Sequence, residues 1–283
     1  MKNFAFSSLI FITIVLLGAH QSLAQSWDPG SGNIGVTLLA GYEWNYFNLS
    51  AENPNVTLTS GTLNGFYGEV RGETEDLWSR LTADYSTGNP AFSEAAIFFN
   101  PDLPRSLSQK ILNIEGDLGV KVADLDWPMP STLTLYGGLA YRDYKYSIPM
   151  GSIDFSWYYG ALGFNYIGRL KRMTLGVDGA LQLPFSSSLE DNSETSGTGS
   201  ASVTPDLGYR VELPMTWDIH KSEDVFWREP QQTTILLFVT PYWQYWKIPA
   251  WKVTYPNGSY ADSSASTTNT FGVLVGAGVN LWL

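Results

Sequence analysis

In the stretch WDIH, Asp218 and His220 set a carboxylate two positions from an imidazole. An acid in that relation can orient a ring for general-base work. The other histidine, His20, falls in the leader described below, so His220 is the one imidazole left for chemistry. There is no cysteine, which excludes thiolate nucleophiles and disulfides and leaves a zinc site to carboxylates almost alone. The acidic run LEDNSE, 189–194, offers oxygen ligands of the calcium type, with a solvated acidic loop as the simpler reading. GSGNIG, 30–35, matches the GxGxxG pattern, but no strand precedes it and no helix follows, so it reads as a lead-in to the first strand. Asn48, Asn55 and Asn257 open glycosylation sequons and read as ordinary loop residues. No metal and no cofactor is expected from these motifs.

What must position such groups is extended chain. Apolar and polar residues alternate in about ten segments, so successive side chains fall on opposite faces. In NIGVTLLAGYEWNYF one face carries Ile34, Val36, Leu38, Ala40, Tyr42, Trp44 and Tyr46. SWYYGALGFNYI and TTILLFVTPYWQYW alternate with ambiguous phase, because aromatics occupy both faces. The polar faces collect Glu69, Arg71, Glu73, Arg80, Asp84, Glu115, Asp117, Lys121, Arg142, Arg172, Asp178, Arg210 and Glu212.

Composition decides what the apolar faces meet. Lys2 followed by LIFITIVLLGA and the small-x-small site Ser22-Leu23-Ala24 reads as a secretory signal peptide over 1–24, leaving 25–283 as one domain. After it, no stretch of about 18 apolar residues appears, so no transmembrane helix is expected. Charged residues make up only 15% and aromatics 14% of the chain, odd for a soluble exported domain. The net charge of −11 argues against a nucleic-acid partner. Segments of about 10–15 residues exceed the usual globular strand of five or six and suit tilted membrane-spanning strands.

The connections alternate in length. Long polar ones are expected at 48–62, 86–107, 184–202 and 247–267, short ones at 74–76 and 168–171, and intermediate ones at 123–130, 145–154 and 217–231. Long loops at one end and short turns at the other are the layout of an outer-membrane barrel. The expected fold is therefore all-β: a closed antiparallel up-and-down transmembrane β-barrel of about ten strands, within roughly eight to twelve. Interfacial girdles need amphipathic rings, and Tyr42, Trp44, Tyr46, Trp243, Tyr245 and Trp246 are their candidates. If the apolar faces meet lipid, the charges above line the lumen. A bore of ten strands sits near the size that side chains fill. Arginines and carboxylates there are expected to pair and block it, excluding a general diffusion porin and leaving room for a narrow selective pathway.

The C-terminal strand TNTFGVLVGAGVNLWL resembles the C-terminal signal of bacterial outer-membrane proteins, through Phe271, Val279, Leu281 and Leu283, with Leu283 where phenylalanine is usual. That resemblance implies the outer membrane of a Gram-negative bacterium, with outer-membrane lipid, lipopolysaccharide and the outer-membrane assembly machinery as partners. The layout of ten strands with long outer loops resembles the omptin family of outer-membrane proteases, which implies carboxylates and an Asp–His pair at the extracellular rim. Here the pair Asp218/His220 falls, by counting connections, in a periplasmic turn, where it could serve at most a docking role. The outer loop that would have to carry it has Glu190 and Asp191 but no histidine. Asp84, near the outer end of its strand, matches one rim carboxylate. The expected function is non-enzymatic, with exposed loops for contact or a narrow solute pathway. An omptin-like or other rim hydrolase is the alternative.

Overall fold

A computed structural model describes residues 34–52, 55–94, 105–125, 129–148, 151–224 and 231–282. The leader and Leu283 lie outside the described residues. Fifteen strands follow one another: β1 (Gly35–Glu52), β2 (Asn55–Glu73), β3 (Leu77–Gly88), β4 (Ala91–Phe92), β5 (Ser108–Leu125), β6 (Ser131–Ile148), β7 (Gly151–Leu170), β8 (Met173–Ser193), β9 (Gly197–Ala201), β10 (Gly208–Glu212), β11 (Met215–Asp224), β12 (Gln231–Ile248), β13 (Trp251–Thr254), β14 (Tyr260–Ser263) and β15 (Ser266–Trp282).

Ten wall positions close into a ring, ordered β1-β2-β3-β5-β6-β7-β8-β10/β11-β12-β15 and back to β1. β10 and β11 are one wall strand interrupted at Leu213 and Pro214, and both pair with β8 and β12. Every backbone edge of β15 is used, against β1 from Trp282 to Ser266 and against β12 over the same span. A row of unpaired amides would be costly in lipid, and closure removes it.

Following paired residues once round the ring shows how far the strands tilt. From Glu73 the path runs through Trp78, Gly119, Tyr136, Gly163, Ala180, Arg210, Gln244, Thr270 and Phe47 and returns to β2 at Gly61, 12 residues away (73 minus 61). Such a stagger makes each strand lean on the barrel axis and sets a bore just wide enough for side chains.

The alternation sorts the faces. Tyr42, Trp44, Tyr46, Phe66, Tyr85, Tyr158, Phe185, Tyr209 and Phe271 point out and are exposed, Phe66 keeping 72% of its surface. Several meet rings on neighbouring strands: Trp243 stacks on Phe271 at 6.3 Å, and Tyr209 lies tilted against Tyr245 at 6.0 Å between centroids. With the strand tilt applied, these rings fall in one girdle round the wall, as an interface between lipid and water requires.

The polar connections differ from the sequence expectation. Residues 48–62 are mostly strand, β1 and β2 continuing until only 53–54 separate them. β8 likewise runs through the stretch read as the acidic loop, and 247–267 holds β13 and β14. Backbone pairing needs no apolar face, so strands continue above the girdle with Ser, Thr and Asn facing water. Residues 217–231 were expected to form a turn, yet β11 extends through Asp224 and pairs with β12.

Candidate functional site: a layered lumen

The inward faces build layers along the axis. Call the end where β1 begins and β15 ends, and where short turns join β2 to β3 and β7 to β8, the terminal end. From there the order is an open vestibule, an ion-pair layer, a small polar cavity and an aromatic plug.

Arg80, from β3, reaches across the bore. Its Nε and Nη2 meet Asp117 Oδ2 at 3.0 and 2.9 Å, and Nη1 meets Asp178 Oδ2, on the opposite wall, at 3.3 Å. Arg210 from β10 forks onto Glu115 of β5, with both contacts at 2.7 Å, and its Nε sits 3.0 Å from Glu212. Bidentate guanidinium–carboxylate pairs are the geometry in which such charges hold one another best. The Tyr136 hydroxyl donates to Asp178 at 2.6 Å and Asn165 donates to the same carboxylate at 3.0 Å. Glu115, Asp117 and Asp178 are each 0% exposed, so unpaired they would be expensive to bury. Gly138 faces Asp117 because a side chain there would run into its Oδ1.

Beyond this layer lies a cavity of about 40 Å³, lined by Glu43, Asp84, Asn113, Arg142 and Tyr242 among others. Asn113 donates to Asp84 at 3.1 Å, the Tyr242 hydroxyl donates to Glu43, and Arg142 donates to Gln244 across the bore. Asp84 therefore lies inside the barrel and not on an open rim.

Phe47, Leu63, Ile111, Tyr144, Phe155, Trp157, Tyr159, Trp246 and Val253 then fill the far end. Trp157 and Trp246 meet edge to face at 5.3 Å, and Trp246 meets Tyr159 at 5.1 Å. The Tyr159 hydroxyl, 2.9 Å from both Asn113 and Glu115, ties the plug to the charges below.

Of the charges expected in the lumen, Glu69, Arg71, Arg80, Asp84, Glu115, Asp117, Arg142, Asp178, Arg210 and Glu212 surround the bore. Glu73 and Lys121 sit 3.7 Å apart in the vestibule. Arg172 is a correction: it is exposed in the turn between β7 and β8, because β8 begins at Met173, one residue later than its alternation suggested. Trp246 is a second correction. It was expected in the girdle and is 1% exposed in the plug, since it shares the inward parity of Gln244 while Trp243 and Tyr245 take the outward one. Val279 and Leu281 are half-buried on the outer face of β15, with Phe271 exposed there. Glu43 was missed, although its place between Tyr42 and Trp44 put it on the polar face.

Asp218 lines the vestibule. A bulge separates its register from that of His220, with Asp218 opposite Leu236 and His220 opposite Ile235. The pair lies at the terminal end. Among the described residues, no group of three or more His, Asp or Glu is placed to hold a metal ion.

No protein-family profile matches the sequence, and no curated protein matches it. Solved structures do. The outer membrane protease OmpT from Escherichia coli aligns with a TM-score of 0.52 at 13% identity, over 89% of this chain and 97% of that one. The translocator domain of the autotransporter NalP from Neisseria meningitidis aligns at 0.35 and 10% identity, over 97% and 99%. A Pseudomonas aeruginosa FadL homologue aligns at 0.33 and 7%, over 88% and 90%. The first shares its fold with this chain, and the other two overlap too loosely to add to that. The fold is that of bacterial outer-membrane β-barrels.

Proposed function

We propose that this chain is a non-enzymatic barrel of the outer membrane whose lumen is sealed and whose work is contact through the hairpins held beyond the girdle. In the usual layout the terminal end faces the periplasm and the far end the exterior. The observation that carries the reading is the plug: Trp157, Tyr159 and Trp246, at 2%, 0% and 1% exposure, fill the far half of the bore above an ion-pair layer that already crosses it. A solute would have to part both. The exposed strands β13 and β14, together with the ends of β1, β6 and β8, remain as the surface available to a partner.

Planar-bilayer recording of the refolded protein tests this. Electrical silence is expected, and discrete conductance steps would replace contact by a narrow pathway. The hydrolase alternative rests on the fold shared with OmpT and on Asp84. Incubation with peptide libraries is expected to give no cleavage above an Asp84→Ala control.

A further inference from the structure

The turn between β7 and β8 carries two adjacent cations, Lys171 and Arg172, in a chain whose net charge is −11. Both are exposed, and neither forms an ion pair among the described residues. Asp218 stands next to them, its N–H donating to the Arg172 carbonyl at 2.8 Å, but its side chain lines the vestibule. Lys171 has a φ of 53°, a left-handed conformation that closes the tight turn. The register fixes the height of the pair. Leu237 of β12 is opposite Trp217 of β11, Trp217 is opposite Met173 of β8, and Met173 is opposite Leu170 of β7. This row lies on the outer face, with Leu237 47%, Trp217 37% and Leu170 45% exposed. Lys171 and Arg172 follow Leu170 directly in the chain, one step beyond the last lipid-facing row. Elsewhere on the same rim, the turn between β2 and β3 carries the exposed Glu75 and Asp76.

Cations at that level, with an aromatic ring and aliphatic side chains just inside them, meet the headgroups of the leaflet that surrounds the terminal end. We propose that the β7–β8 turn binds the phosphodiester of an anionic phospholipid in that leaflet. The Arg172 guanidinium forks onto two phosphate oxygens, Lys171 adds a point charge, and the acyl chains lie along Leu170, Met173 and Trp217. Arg169 turns into the vestibule lining and takes no part. The acidic turn is separated from this one by β5 and β6 on one side of the ring and by β10/β11, β12, β15 and β1 on the other. It repels the same headgroup, so a lipid of this charge is held at one side of the barrel. The site needs lipid at the outer wall and nothing from the plug or the outer hairpins.

Native mass spectrometry of the refolded full chain tests the site, with phosphatidylglycerol or phosphatidylcholine titrated in from mixed detergent micelles. Phosphatidylglycerol should be retained at least about tenfold more tightly than phosphatidylcholine, since each nearby cation is worth about fivefold. Lys171→Asn, which keeps the left-handed turn, and Arg172→Gln should each cost about fivefold. The double variant should treat the two lipids alike. Glu75→Gln combined with Asp76→Asn removes as many charges at the acidic turn and should not weaken retention. Equal retention of the two lipids by the wild type, an intact phosphatidylglycerol preference in the double variant, or an equal loss in the acidic-turn variant would each overturn the site. Displacement by inorganic phosphate at the concentration of the lipid would overturn a lipid as its ligand.

Discussion

Arg80 lies within 3.8 Å of four carboxylates, Glu115, Asp117, Asp178 and Glu212, on three different wall strands. Removing one member of a buried pair leaves its partners' charges unmet, which costs about 3–5 kcal/mol. Arg80→Ala is therefore expected to lose that much in urea unfolding from lipid vesicles. Arg80→Lys should recover only part, because a point charge cannot fork to both walls. Tyr255, in the turn after β13 beyond the girdle, behaves differently. Burial, with Asp191 beside it, pushes its phenol up to about 12. A folded-state pKa above the unfolded value of about 10 means that its contribution is whole below about pH 10 and is lost as pH climbs towards 12. Wild type should lose more stability than Tyr255→Phe between about pH 9 and 12, followed by thermal unfolding.

At the scale of the element, strands here do two jobs with one alternation. β12 sends Trp243 and Tyr245 to the girdle and Gln244 and Trp246 to the lumen. Its neighbour β10 has to leave room for the larger ring. A Cβ on Gly208 would lie 2.6 Å from a Trp246 ring carbon, closer than packed atoms come. Gly208→Ala should therefore shift the indole, cost about 1–3 kcal/mol as overpacking does, and alter the near-ultraviolet dichroism that reports tryptophan packing. The same pairing logic explains why the hairpins outgrow the apolar text. Above the girdle the outer face meets water, so Ser and Thr serve as well as Val, and the backbone ladder alone continues the strand.

For the whole molecule, the consequence is a cylinder greasy outside, with paired charges and an aromatic plug within. Trp44 is 49% exposed on the outer wall and Trp246 is 1% exposed inside. In vesicles containing brominated lipid, Trp44→Phe should remove a larger share of the quenchable fluorescence than Trp246→Phe. Equal shares would mean that lipid does not cover the outer wall. Closure also explains why cross-bore pairs matter. Arg80 with Asp178 and Arg210 with Glu115 join residues 98 and 95 positions apart in sequence and brace opposite walls.

Much of this is legible in the sequence. The dyad alternation and the length of its segments specify ten leaning strands, because side chains must alternate and lipid tolerates only the apolar face. Most lumen charges followed from the same parity. Where both faces of a strand carried aromatics, parity gave no answer. Trp246 and Trp157 went inward only because closure set opposite walls within reach of one another. The plug, the partners of Arg80 and the vestibule likewise depend on contacts between strands far apart in the chain. A local pattern records which way a residue points, while what it meets is decided by the curvature and stagger of the closed ring.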